Sequence, residues 1–526
     1  MLRMFLVVAV IVPLAAAPAA AQDLHSHDAS LGSVRFTNSC AAAVQEDLTH
    51  AVVLLHSFEF GPSRDAFTKV VGADPSCAIA LWGAALTQWG NPFAAGIKPP
   101  AIVQAGKAAI DRAKSIGAKT DRERAFIDAA GKLFDPADAD QRLRIVAYRD
   151  AMGALAGKFP DDPEASTFYA LALAFAASPT DKTYADQLKA GAILEKLWTQ
   201  QPQHPGLPHY IIHAYDVPAL ASRAVDAARR YGKIAPDAPH ALHMPSHTFT
   251  RLGYWKESID TNLLSAAAAR RTNTIGEELH ASDYLEYAYL QLGQYDDAKR
   301  VVDSLADIIS RIPAGATAGA APPAAGPFAR AAIPARYALE RGAWAEAAAL
   351  EVHPSATLYA DAITWFARAL GAARSKDPSL VVTAEKAIDE LQSLADRLSA
   401  ANEPYWTEQV GIQRLGASAW LALAKGQPDR AVTLMREAAD REDRTEKSAV
   451  TPGPLAPAHE MLGEMLLELN RANDAVREFN TTMAKEPNRL RARQGADAAK
   501  ARATRSGVPA RSAARTISVH SVVLDR

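Results

Sequence analysis

Two histidine pairs constrain how this chain can fold more than any other feature. In "HPGLPHYIIHAYD", residues 204–216, His209 and His213 stand four apart, and in "PHALHMPSHTFTRLG", residues 239–253, His243 and His247 do the same. The second pair follows the first by 34 residues, member for member, in a chain with only 14 histidines among 526 residues. Residues i and i+4 share one face of an α-helix. A side-chain pattern that returns at a fixed interval of about 20–50 residues marks a repeat architecture, in which each unit buries its apolar face against its neighbours. The two pairs therefore predict two equivalent helices, side by side, presenting the same face.

The rest of the chain agrees. Strand signals are few, and alanine and leucine recur at spacings of three and four over most of residues 41–500. Pro, Gly or Asp interrupts the pattern often enough to keep the helices short. The clearest unit is "PAHEMLGEMLLELNRANDAVREFNTTMAKEPNR", with Leu462, Gly463 and Leu466 on a first helix, Ala475 and Phe479 on a second, and Pro487 at its end. "YLEYAYLQLGQYDDAKRVV" repeats the plan with Gly293, Tyr295, Ala298 and Val302, and "WLALAKGQPDRAVTLMREA" with Gly426, Ala431, Met435 and Ala438. Weaker copies surround Gly342 and the Phe67–Pro75 stretch. These units resemble the tetratricopeptide repeat (TPR), a helix–turn–helix of about 34 residues. "DPSCAIALWGAAL", "HPGLPHYIIHAYD", "PHALHMPSHTFTRLG" and "VTPGP" resemble a group of exported bacterial TPR proteins of unassigned activity. The resemblance covers about residues 33–490. It implies an all-α solenoid, a superhelix of roughly eight to ten antiparallel hairpins.

The same resemblance orients the side chains. In a TPR the second, fifth, ninth, twelfth and thirteenth positions lie on the first helix and face the concave groove. His209 and His213 fall on five and nine of one unit, with Asp216 on twelve. His243 and His247 fall on five and nine of the next, with His240 on two. After a six-residue insertion a further unit begins near Leu279 and places His280, Asp283 and Tyr287 there. Trp82, Trp89, Arg336, Glu460 and Glu464 take groove positions elsewhere. The second histidine unit departs from the pattern, because Ser258, Asn262 and Ser265 stand where alanine and an aromatic are usual.

Three readings of the histidines stay open. Neutral imidazoles at i and i+4 hold a metal ion from one helix, and two pairs on adjacent helices, about 8–10 Å apart, can converge. His209, His213, His243 and His247 would then bind Zn²⁺ or Cu²⁺, with Asp216 and Asp283 orienting the rings or ligating, and His240 and His280 in support. The function the resemblance favours is instead an exported binding or scaffold module, whose groove holds a peptide, protein or small ligand on these same histidines with Trp82, Asp283, Tyr287 and Arg336; metal binding is its alternative. The third reading is packing alone. No GxSxG, Walker A, GxGxxG or HExxH motif occurs, so no catalytic set is assigned. A net charge of −2 gives no support for nucleic-acid binding.

The N-terminus reads as an export signal: Arg3, the apolar "MFLVVAVIVPLAAA", and small residues up to Ala21. The expected organisation is a signal peptide at 1–21, a cap segment at 22–46, a solenoid with the histidine groove at 47–312, an Ala/Gly/Pro loop at 313–326, further repeats at 327–500 and a tail at 501–526. Export, most naturally to the periplasm of a Gram-negative bacterium, leaves no later span and makes a disulfide between Cys40 and Cys77 the expectation.

Overall fold

The computed structural model describes residues 31–312, 321 and 324–505. The signal-like segment, most of the Ala/Gly/Pro loop and all but the first residues of the tail lie outside them. Helices pair in sequence. The first hairpins are α1 (Gln45–His56) with α2 (Phe60–Ala73), α3 (Ala78–Trp89) with α4 (Pro100–Ile116), and α5 (Asp121–Gly131) with α6 (Gln141–Lys158). Next come α7 (Pro163–Ala176) with α8 (Ala185–Gln200) and α9 (Gly206–Ala214) with α10 (Val225–Ile234). Then α11 (Pro239–His243) and α12 (Pro245–Leu252), set end to end, pack on α13 (Trp255–Thr272). The series continues as α14 (Ile275–Gln291) with α15 (Tyr295–Ser310), α16 (Ala325–Glu340) with α17 (Trp344–Ala348), and α18 (Leu358–Arg374) with α19 (Val381–Ala400). It ends with α20 (Pro404–Ala424) and α21 (Pro428–Glu442), α22 (Ala458–Glu468) and α23 (Ala472–Lys485), and a closing α24 (Leu490–Arg505).

This is an all-α, TPR-like solenoid, with no strand among the described residues. Among the described residues it has eleven hairpins, above the eight to ten expected. The signature undercounts where the turn carries no glycine: α18 and α19 bury Ala362, Phe366, Leu370, Ala384 and Leu391 but are joined by residues 375–380, which contain none. Small residues set the helix spacing at some junctions. The ring of Phe67 on α2 occupies the notch left by Gly83 on α3, where a Cβ would overlap it. Such close approach replaces side-chain bulk with backbone contact, which packs helices to interior density. Among the described residues no helix is long and apolar enough to cross a membrane.

The solenoid also closes on itself. The turn before α24 returns to the middle of the chain, where Trp255 Nε1 donates to Asn488 O at 3.1 Å and Leu490 N donates to Gln291 Oε1 at 2.8 Å. The segment between α21 and α22, residues 443–457, runs across the first-helix face as a strap. Tyr284 of α14 donates to its carbonyls at Ala449 (3.2 Å) and Thr451 (3.0 Å), and its Lys447 reaches Asp216 at 3.2 Å.

Cys40 and Cys77 are joined, with 4.9 Å between their Cα atoms, tying the segment before α1 to the start of α3. A cross-link between residues 37 apart removes chain entropy equivalent to about 3–4 kcal/mol from the unfolded state. The Cys40→Ala/Cys77→Ala variant is expected to lose most of that amount in urea denaturation. A loss below about 1 kcal/mol would count against a stabilising disulfide.

Candidate metal centre

Six histidines from adjacent first helices meet in the interior: His209 and His213 of α9, His240 and His243 of α11, His247 of α12 and His280 of α14. Every residue of α9 is buried, and Pro239 and Pro245 start the two short helices that aim the next three rings inward. None of the six is more than 8% exposed. The rings do not form one four-histidine cluster. They divide into two sets of three, His209 with His213 and His240, and His243 with His247 and His280; one nitrogen per ring lies within 4.8 Å of its set partners. Met244 keeps helical dihedral angles between α11 and α12, and His240 and His247, seven residues apart, fall in different sets.

In the second set the outer nitrogens are anchored. His243 Nδ1 donates to Asn262 Oδ1 at 2.7 Å, and the amide is oriented by Asn262 Nδ2 donating to Ser258 O at 2.7 Å. His247 Nδ1 donates to Asp216 Oδ2 at 3.0 Å. A neutral imidazole has one N–H, so both rings carry their lone pairs on Nε2. Those two Nε2 atoms face each other at 3.2 Å. Two lone pairs so placed repel unless a cation or proton stands between them. His280 completes the set, its ring centroid 4.3 Å from that of His243 and its Nδ1 without a hydrogen-bond partner among the described residues.

The first set is arranged similarly. His209 Nδ1 donates to the His56 carbonyl at 2.7 Å, leaving Nε2 bare. His209 Nε2, His213 Nε2 and both nitrogens of His240 have no hydrogen-bond partner among the described residues. Phe93 stacks on His213 at 4.0 Å, and Phe58 lies against His209, His213 and His240. Glu277 Oε2 is 3.6 Å from His240 Nδ1, and it and Glu59 Oε1 are likewise unpartnered. Burial, with the Glu277 charge beside it, pushes the Glu59 carboxyl up to about 8.

A third cluster shows what a satisfied arrangement looks like. His56 Nε2 and His204 Nε2 each donate to one oxygen of Glu164, at 3.0 and 2.9 Å. Their outer nitrogens accept from Tyr210 OH at 3.0 Å and Gly206 N at 3.1 Å. Every polar atom there is paired, so the cluster is accounted for as structure.

Electrostatics disfavour charge on five of these rings. Burial, reinforced by neighbouring rings, lowers the pKa of His209, His213, His243 and His280 well below 6.5. Burial takes His247 down to about 4 despite Asp216. Burial opposes ionisation of Asp216, but Lys447 and Arg251 outweigh it and hold the carboxyl well below its usual range.

The other residues singled out from sequence are placed elsewhere. Trp82 is fully buried in an aromatic group with Phe36, Phe126 and Phe168, and Trp89 packs against Phe134 and Phe175. Asp283 is bonded by Arg336, which also reaches Glu286 at 3.4 Å. Tyr287 donates to Glu486 at 3.1 Å and accepts from Arg489 at 3.0 Å. Arg489 binds Glu460 at 2.7 Å, while Glu464 lies between Arg374 and Arg491. Sequence reasoning missed Glu59, Glu277, Arg251 and Lys447. Asn262 did leave a signal: it stands where the repeat pattern calls for an apolar residue.

No protein-family model matches the chain, and no curated protein matches it. Among solved structures it is similar to the human IFIT1 dimer with m7Gppp-AAAA, at 9% identity and a TM-score of 0.38, over 82% of each chain. It is similar to the TPR domain of P58(IPK) at 12% identity and a TM-score of 0.20, over 88% of this chain and 99% of that one. Yeast Tom70 is similar at 11% identity and a TM-score of 0.30, over 88% and 90%.

Replacing Asn262 by leucine strands the His243 Nδ1–H in a sealed interior, at a cost of about 1–3 kcal/mol. Urea denaturation of Asn262→Leu beside wild type measures it. A loss below about 0.5 kcal/mol would mean that His243 is not anchored as described.

Proposed function

We propose that this is an exported transition-metal-binding protein, with one ion held by His243, His247 and His280 and a second by His209, His213 and His240. The observation that carries the reading is the opposition of two Nε2 lone pairs at 3.2 Å, each fixed by an Nδ1–H donated to Asn262 or Asp216. Metal-ligating histidines are oriented in this way, through the nitrogen that does not ligate. All-imidazole donor sets suit Zn²⁺ or Cu²⁺. Three protein ligands leave room for a further ligand, as catalytic sites do, while a closed set would store or stabilise. Asp216 acts in this reading as a carboxylate behind His247, and Asp283 has no part. The other reading, a scaffold whose concave groove takes a peptide or protein, would need the strap to leave Tyr284 and Asp216.

Elemental analysis of protein purified without a histidine tag is expected to give two ions per chain. His243→Ala/His247→Ala should lose one, His209→Ala/His213→Ala the other, and His204→Gln neither. Zn²⁺ at a hundredfold excess over its dissociation constant should stabilise the metal-free protein by about 2.7 kcal/mol. A metal-free wild type whose melting temperature neither Zn²⁺ nor Cu²⁺ raises would end the reading.

Protons compete with metal only below a ligand's pKa in the folded protein. Because burial depresses the histidines, metal should stay bound well below 6.5 and leave as pH falls toward about 4, the value for His247. Dialysis against chelator-free buffers at pH 7, 6, 5 and 4, with metal counted after each, tests this. A release midpoint near 6.5 would show that the ligating rings are not depressed.

A further inference from the structure

Beside the strap lies a cavity of about 470 Å³, lined on one side by residues just before α8, residues just after α9 and Arg251 of α12, and on the other by α18, α20, the start of α22 and the end of α23. Its two walls differ in the pairing of their charged groups. On the near wall Lys182, Arg251 and Lys447 face Asp216 and Glu446, and Arg251 also faces Glu486. Arg251 uses Nε and Nη2 on Asp216, both at 2.8 Å, leaving Nη1 outside those bonds. Lys447 spends one of three donors on the same carboxylate, at 3.2 Å. Asp216 in turn serves His247, so three donor groups share one carboxylate, and Arg251 and Lys447 keep donors outside those bonds.

On the far wall each acidic group has partners of its own. Asp443 sits between Lys485 and His459, and partners at Asp443 and Glu478 overcome burial to raise His459 to about 9. Glu486 pairs with Arg489 at 3.7 Å. Burial raises Glu442 to about 7, and its Oε2 accepts the Ala458 N–H at 2.8 Å. Between the walls the lining is aromatic and apolar. Tyr359 stacks on Trp406 at 3.7 Å, Tyr405 meets the same indole at 4.9 Å, and Ile363, Val410 and Leu455 complete the surface.

We propose that this cavity binds a small organic carboxylate with an aromatic or apolar body, its anionic end on Arg251 and Lys447 and its body against Trp406, Tyr405 and Val410. The volume lies within the about 300–1,000 Å³ of known small-molecule sites, and an apolar chamber with a few placed polar groups is their usual form. Arg251 offers a planar, always-charged donor suited to a carboxylate. An inorganic anion would satisfy the cations but leave the aromatic wall uncontacted. Ligand bound here would draw Lys447 away from Asp216, the carboxylate behind His247. The site is built from residues outside the two histidine sets, so it does not depend on metal.

The test is calorimetric titration of full-length, chelator-treated protein with indole-3-acetate, its neutral analogue indole-3-acetamide, and inorganic phosphate. The expected result is binding of the acid at least tenfold tighter than of the amide or of phosphate. Lys447→Met and Arg251→Gln should each weaken the acid about tenfold. Because both residues also support Asp216, Ala219→Trp is the second variant; Ala219 is exposed at the mouth, makes no ion pair, and an indole there should block entry. Equal affinity for acid and amide would overturn the proposal. So would phosphate binding as tightly as the acid, an adventitious ion only, or a folded wild type that binds none of the three. Undiminished binding to Ala219→Trp would place the ligand elsewhere and equally overturn it.

Discussion

The Asp216 carboxylate joins three parts of the chain that are far apart in sequence. It follows α9, receives His247 and Arg251 from α12, and is capped by Lys447 from the strap. Burying a carboxylate and two cations is expensive, and their mutual attraction offsets the cost only when geometry is good and each partner is present. Removing one partner from such a set strands the others and typically costs about 3–5 kcal/mol. The arrangement is therefore a poor source of net stability and a strong source of specificity. It fixes the position of α12 relative to α9, the Nδ1 tautomer of His247, and the place where the strap crosses. The histidine geometry depends on all three.

Much of this was legible in the chain itself. The interval between the histidine pairs identified the repeat, and the repeat identified the shared face; His209, His213, His240, His243, His247 and His280 do meet in the interior. Their division into two sets was not legible. It depends on how closely the rings of α9, α11, α12 and α14 approach one another, which spacing along the chain leaves open. More hairpins are present than the pattern indicates because a turn such as that between α18 and α19 has no glycine to mark it. Trp82 shows the limit of register arguments, since a groove position near the end of a solenoid was covered by Phe36 from the segment before α1.

The polar substitutions in α13 illustrate how a departure from pattern becomes informative. Ser258, Asn262 and Ser265 lower the apolar content of a buried helix face, which has a cost unless each is bonded. Each is: Ser258 Oγ bonds with Thr250 Oγ1 at 3.3 Å, Asn262 Oδ1 accepts from His243, and Ser265 Oγ donates to Pro239 O at 2.8 Å. The face gave up packing to hold one ring and the start of the helix that carries it. The fully paired His56–Glu164–His204 group beside it shows that buried histidines in this fold can be satisfied by protein alone, which sets the six unsatisfied or opposed rings apart.

Closure of the solenoid has a consequence for the order in which the protein is built. Ordinary repeat arrays behave as one-dimensional chains in which each hairpin can form once its neighbour exists. Here the roof over the histidines comes from residues about 200 positions after His247 in the chain. A chain emerging N-terminus first therefore completes α9 to α14 well before Lys447 and Thr451 arrive to cover them. During that interval Asp216 and Tyr284, which bond and flank His247, lack their partners from the strap. Whatever is to lie between those rings has its easiest path inward while the molecule is still being assembled.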